Sequence, residues 1–283
     1  MPRTRRAVRL ALLAPVVAAV LAGGVAASRA GAEPKGWKLP ADAKLVGDDV
    51  YEIGTKQVNG KTLTGWAFVH RGHNAKPSGG GSTGSKAYAY IAAGLKWKTF
   101  GESYVVDPTV TNWDGASDAT YIRSVISGAV SKWEDAANGS VGDGTSVNIF
   151  GNEVSGTVDR TKIGNTYNNV NEVCFAPIAE NNVIAVTMVW GYYSGPASVR
   201  EIVEWDQIYD DDGDFTWGDV ATNGNADDMD FDDIATHEVG HAFGMDHPGL
   251  TYSNETMYAY ASEGETKKRS LNAGDITGIN GLY

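Results

Sequence analysis

Three histidines and a glutamate lie within one short stretch, His237-Glu238-Val239-Gly240-His241-Ala242-Phe243-Gly244-Met245-Asp246-His247. Residues i and i+4 share one face of a helix, so His237 and His241 can offer two imidazoles to a single cation. Glu238 is swung away from both rings but within reach of a water on that cation. Gly244 can take a positive φ, end the helix and let the chain turn back, delivering His247 as a third ligand. Three neutral nitrogens plus water make a tetrahedral zinc site with one open position. Zinc there would lower the pKa of its bound water and polarise a carbonyl, and Glu238 could accept the water's proton and pass it on. The chain holds only five histidines, and three of them fall on this stretch. Scattered core or surface imidazoles would not cluster so.

The elements around the stretch read as an α+β order. A strand is expected at Ser103 to Val106. A helix of about five turns follows from the spacing of Ile122, Val125, Ile126, Ala129, Val130, Trp133 and Ala137, with Ser117 or Asp118 as cap. Three β-rich runs come next, Ser146 to Phe150, Val183 to Val189 and Val199 to Ile208. Asp233 to Phe243 and Leu271 to Leu282 are the remaining helices. Ahead of them, Val58-Asn59-Gly60-Lys61 signals a hairpin, with strand-like residues from Thr62 to Val69. Pro77 to Gly84 is a Gly/Ser linker. The sequence thus divides into residues 33–85, a short N-terminal segment or propeptide, and residues 86–283, the catalytic domain.

Residues 1–32 have the three parts of a secretory signal peptide: Arg3, Arg5, Arg6 and Arg9, an apolar run from Leu10 to Ala27, and Ala30-Gly31-Ala32 as cleavage site. A secreted monomer with no stable membrane association after cleavage is expected. The net charge of −12 argues against nucleic-acid partners and anionic membranes. The single cysteine, Cys174, has an apolar setting and reads as an inert core residue.

The histidine stretch resembles the metzincin pattern H-E-x-x-H-x-x-G-x-x-H, and Glu255-Thr256-Met257-Tyr258 resembles that clan's methionine turn beneath the zinc. Within the clan the matrixins are most similar. Leu271 to Tyr283 resembles their closing helix, and Val203 to Asp212 their fifth strand and acidic loop. The resemblance implies a zincin-like domain with a twisted, mostly parallel five-stranded sheet and an antiparallel edge strand. It also implies a zinc endopeptidase acting on protein or peptide substrates, with His237, His241 and His247 on zinc and Glu238 as the base. Ile184 to Val189 would be the edge strand that pairs with substrate, Ile184 and Val186 included, and Tyr260 the wall of the specificity pocket.

Several features depart from the matrixin pattern. Ala259 stands where matrixins usually carry proline, and where astacin-like members have a metal-binding tyrosine. No cysteine precedes Cys174, so a thiol-to-zinc latency switch is absent. Asp48, Asp49, His70 or His73 could block the zinc instead, although each reads as surface loop. No histidine lies between His73 and His237 to build the animal enzymes' structural zinc site. The sequence also ends at the closing helix, with no C-terminal binding domain.

Asp210, Asp211, Asp212 and Asp214 crowd one loop; Asp210, Asp212 and Asp214 are calcium candidates, the alternative being a solvated acidic loop. Asp227, Asp228, Asp230, Asp232 and Asp233 form a second acidic run, whose last members read as the start of the active-site helix in preference to a metal site. Trp97, Trp113, Trp133, Trp190 and Trp205 read as packing residues. Two rival functions are a catalytically dead zinc module and a surface protein with structural metal. Glu238 argues against the first, and the absence of a fourth protein ligand against the second.

Overall fold

The computed structural model describes residues 36–72 and 86–283. The signal peptide, the Gly/Ser linker and His73 lie outside the described residues. Among the described residues, no helix is long and apolar enough to cross a membrane.

In chain order the strands are β1 (Lys44–Gly47), β2 (Val50–Val58), β3 (Lys61–Gly72), β4 (Ala89–Tyr90) and β5 (Glu102–Asp107). Helix α1 (Ala119–Ala136) is followed by β6 (Phe150–Glu153), β7 (Asn171–Ala176), β8 (Val183–Tyr192) and β9 (Glu201–Asp210). Then come β10 (Trp217–Gly218), α2 (Val220–Asn223), β11 (Met229–Asp230), α3 (Phe231–Ala242), β12 (Met245–Asp246), β13 (Tyr260–Ala261) and α4 (Ala273–Leu282). The fold is α+β with a mixed sheet.

Four parallel strands and one antiparallel strand run in the order β6-β5-β7-β9-β8. Beyond β8 the sheet continues through β3 and β2 to β1, and β13 also pairs with β3, giving nine strands in all. The expected five-stranded sheet therefore stands inside a larger one, and β8 is not an edge. β3 pairs antiparallel along it, from Thr64 opposite Gly191 to Arg71 opposite Val183. Ile184 and Val186 are fully buried within this interior strand; they belong to different apolar clusters because the register shift at Ile184, opposite His70 and Arg71, breaks the alternation of faces.

Local chemistry explains the main elements. Asn59 and Gly60 both have positive φ, as the two-residue turn joining β2 to β3 demands. Asp118 caps α1 by accepting from the backbone of Thr120 and Tyr121. One face of α1, from Ile122 through Trp133, is buried in the core, and Trp133 Nε1 donates to Thr236 O of α3 at 2.8 Å. The expected strand at Ser146 to Phe150 forms only from Phe150 onward, because Glu134 of α1 takes up the Ile149 and Phe150 amides. Strand β7 was not expected. It is buried throughout and lies between two parallel neighbours, so it lacks the alternation that marks a half-exposed strand. Cys174 sits in it, buried and free. Trp97, Trp133, Trp190 and Trp205 are buried and Trp113 packs against the core, as expected of packing residues.

Candidate metal and catalytic site

Helix α3 is capped by Asp230, whose carboxylate accepts the Asp233 amide, and ends one residue before Phe243. The last members of the second acidic run thus lie at this helix start, while Asp228 accepts from the side-chain amides of Asn223 and Asn225. Asp230 also holds Arg269, Asp232 binds Lys132 at 2.6 Å, and Asp233 accepts the Lys268 amide at 2.6 Å. Gly244 takes a φ of +102°, and β12 then pairs antiparallel with β4, which turns the chain back to His247.

His237, His241 and His247 are buried, and each offers a ring nitrogen within 4.8 Å of the others. His237 Nδ1 lies 2.7 Å from Thr256 O and His241 Nδ1 lies 2.9 Å from Met245 O. Donation to these carbonyls places the proton on Nδ1 and leaves both Nε2 lone pairs free. His237 Nε2 has no hydrogen-bond partner, and His241 Nε2 faces His247 Nε2 at 3.2 Å. Burial pushes all three rings well below the usual imidazole range, His241 to about 3. Neutral rings with buried lone pairs turned on one point are what a tetrahedral cation requires. The donor set fits zinc.

Beneath this set, the Met257 side chain is buried, and a Cβ on Gly240 would come within 2.3 Å of its sulfur. Both oxygens of Asp275, at the start of α4, take the amides of Thr256 and Met257, at 2.8 and 3.2 Å. Glu255 in turn accepts the Gly274 and Asp275 amides. The methionine turn and the closing helix therefore fix each other, and with them the carbonyl that orients His237.

Glu238 is fully buried. Thr187 Oγ1 of β8 donates to its Oε2 at 2.6 Å, and burial pushes its carboxyl up to about 8. Its Oε1 lies 2.9 Å from Nδ1 of His70. The expectation that His70 is an exposed loop residue is overturned. It is 1% exposed, and its ring centroid is 4.0 Å from that of His237. Its Nε2 lies 3.3 Å from Nζ of Lys268, an equally buried lysine that also donates to the carbonyls of Tyr258 and Tyr260. The ammonium can only donate, so Nε2 of His70 accepts and Nδ1–H donates to Glu238.

Asp49 is held at 2.9 Å by Arg71, and the Asp48 backbone lies against His247. Tyr260 is buried in β13, opposite Arg71 of β3. The acidic loop is spent largely on backbone amides: Asp210 accepts from Ile178, Asp211 from Thr111 and Asn112, and Asp212 from Asp214. Among the described residues, Asp210, Asp212 and Asp214 do not form a metal-binding group of the kind the histidines do. Sequence reasoning missed Thr187 and Lys268, since neither has a local signal. His70 it noticed but misplaced, because the partner that buries it lies 168 residues away in sequence.

Residues 194–283 match the family model for matrixin. Over these residues the chain is similar to matrixins, which supports a matrixin-like metzincin domain there. The match supports a metallopeptidase hydrolase and covers β9, α3, the methionine turn and α4. A comparison with curated proteins finds no match.

Proposed function

We propose that this chain is a secreted zinc endopeptidase in which His237, His241 and His247 hold the metal and Glu238 is the general base. The observation that carries the reading is the convergence of three neutral, buried ring nitrogens within 4.8 Å, with a buried carboxylate on the adjacent residue. When bound, zinc supplies Lewis acidity to the scissile carbonyl and acidifies water.

The protein's own groups do the rest. The carbonyls of Thr256 and Met245 hold two of the rings in the tautomer that leaves Nε2 free. Glu238 accepts a proton from the attacking water and returns it to the leaving amine. Burial raises its affinity for that proton, and a cation held by the neighbouring histidines would lower it again, towards the range useful near neutrality. Thr187 fixes the other carboxylate oxygen, so the base keeps its orientation through the transfer. Export rests on the tripartite pattern of residues 1–32.

The test pairs wild type with Glu238→Gln on an unfolded protein substrate, before and after removal of residues 33–85, with zinc measured in every preparation. Wild type should hydrolyse the substrate in at least one form, and a chelator should stop it. The variant should keep its zinc and lose its activity. Folded, zinc-loaded wild type that cuts nothing in either form would leave the binding-module reading in its place.

A further inference from the structure

A matrixin-like cleft needs an open strand edge, yet in this protein β8 has a neighbour on each side. On one side lies β9; on the other lies β3, paired from Thr64 to Arg71. At its far end β3 is also gripped by β13, where Arg71 pairs with Tyr260 and Gly72 with Ala261 in parallel register. An extended peptide added to the edge of β8 would occupy this same ladder. The chain has put its own strand there.

Side-chain alternation sets what the strand does. Leu63, Ala67 and Val69 face away, into an apolar cluster with Ile53, Val186 and Met188. Phe68 and His70 face α3. Phe68 stacks on His241 with centroids 4.5 Å apart, and His70 lies over His237 and binds Glu238. The two residues thus cover two candidate ligands and the base together. Behind the strand, the turn between β1 and β2 sets the Asp48 backbone against His247. Every group of the site is at most 4% exposed. The cavities of 660, 390, 310 and 210 Å³ are all lined by residues other than these.

We infer that Lys44–Gly72 is an internal blocking meander whose third strand fills the peptide-binding cleft, with His70 engaging Glu238, so that the chain is latent until it leaves. The inference rests on the peptidase reading. His70 donates to Oε1 of Glu238, an oxygen that must otherwise accept from water, and Lys268 holds the histidine in the donating tautomer. No thiol is needed. The linkage is well suited to release, since the sequence leading out of β3, from Pro77 to Gly84, is rich in glycine and serine.

The experiment uses the full chain with a site for a sequence-specific protease introduced between Gly79 and Gly84. Intact, cut, and cut-and-separated forms are compared for zinc content, hydrolysis of an unfolded protein, and hydrogen exchange along Val183–Tyr192. Intact protein should be at least about a hundredfold less active than the separated form, because a tethered strand competes at high effective concentration. The β8 amides should exchange faster once the meander is gone. A synthetic peptide of residues 44–72 should restore inhibition, and its His70→Ala version should inhibit about tenfold less well, having lost a charge-assisted hydrogen bond.

Equal activity in the intact and separated forms would overturn the inference and leave the peptidase reading standing. A separated form that binds the peptide by calorimetry, keeps zinc and cuts nothing would sink the peptidase reading while the docking of β3 survives. Should the separated form unfold, the intact chain carrying Phe68→Ala with His70→Ala decides. Hydrolysis rising about tenfold or more supports blocking, and hydrolysis unchanged or reduced makes β3 part of the working enzyme.

Discussion

Two regions close on the same three histidines, from opposite directions and by different means. From below, α3, the methionine turn and α4 are joined by buried hydrogen bonds that fix ring orientation: Thr256 O to His237, Asp275 to the amides of Thr256 and Met257. From above, the meander of β1, β2 and β3 meets the rings with Phe68 and His70 and is held chiefly by the ladder to β8. The lower region determines what the site can bind. The upper one determines whether anything can reach it. The histidines are buried between the two, so burial alone cannot tell a scaffold from a cover; the partners of each ring nitrogen can. Substitutions below should therefore lower hydrolysis, and substitutions above should raise it.

The largest effect breaks the chemistry and leaves both regions in place. Glu238→Gln keeps a side chain that can still meet Thr187 and His70, but it removes the carboxylate proposed as the base. Hydrolysis by the released form should fall by about two to four orders of magnitude, with zinc content unchanged. Initial rates on a quenched peptide, set beside metal analysis, check both halves. Gly240→Ala strikes the lower region alone. Its Cβ would sit 2.3 Å from Met257 Sδ and 2.6 Å from Trp133 Cζ2. Overpacking of this kind should cost about 1–3 kcal/mol, visible in urea unfolding, and should weaken zinc retention together with activity. A variant of full stability and full zinc affinity would refute the rigid-floor account.

How much of this was legible in the sequence follows the same division. The lower region depends on short spacings: i and i+4 on a helix, a glycine at the turn, a methionine ten residues beyond His247. Such patterns are local and survive in one dimension. The β2–β3 hairpin was equally legible, because Asn59-Gly60 imposes its turn. Its destination was not. A strand's sequence shows which face is apolar but not which backbone it will pair with, and Val186 of β8 lies 117 positions beyond its partner Val69 in this ladder. His70 therefore looked like loop while lying against Glu238. Lys268 was hidden for a related reason: its partners are carbonyls and a distant histidine, which no composition announces.

A third test probes the frame on which both regions lean. Glu204 of β9 is fully buried, and its Oε2 accepts the amides of Asn168, Asn169 and Val170. Burial pushes its carboxyl up to about 7, so the folded state holds the proton more tightly than the unfolded chain does. Its contribution to stability is thus complete below the ordinary glutamate range and is lost as pH rises towards about 7. Glu204→Gln keeps an acceptor oxygen and removes the titration. It should raise stability at pH 8 relative to wild type by about 1–2 kcal/mol, with little gain at pH 5. Thermal melts across that range would show a shallower alkaline decline in the variant, and an unchanged decline would assign the response to other groups.

The smallest effect sharpens the contrast most, because stability and activity should move apart. Arg71, near the end of β3, binds Asp49 at 2.9 Å and the Asn181 carbonyl at 3.2 Å, and it is partly exposed. Ion pairs in such positions contribute about 1 kcal/mol or less, so Arg71→Ala should barely move the unfolding midpoint of the full chain. The pair nevertheless ties the far end of β3 to the turn behind it, at the point where the strand passes between β8 and β13. Loosening that end favours partial opening over the site, and hydrolysis by the intact chain should rise by about two- to fivefold, in proportion to the lost pairing energy. Faster hydrogen exchange confined to residues 66–72 would accompany it. A fall in hydrolysis at unchanged stability would put Arg71 with the working parts of the enzyme, and the line drawn between cover and scaffold would have to move.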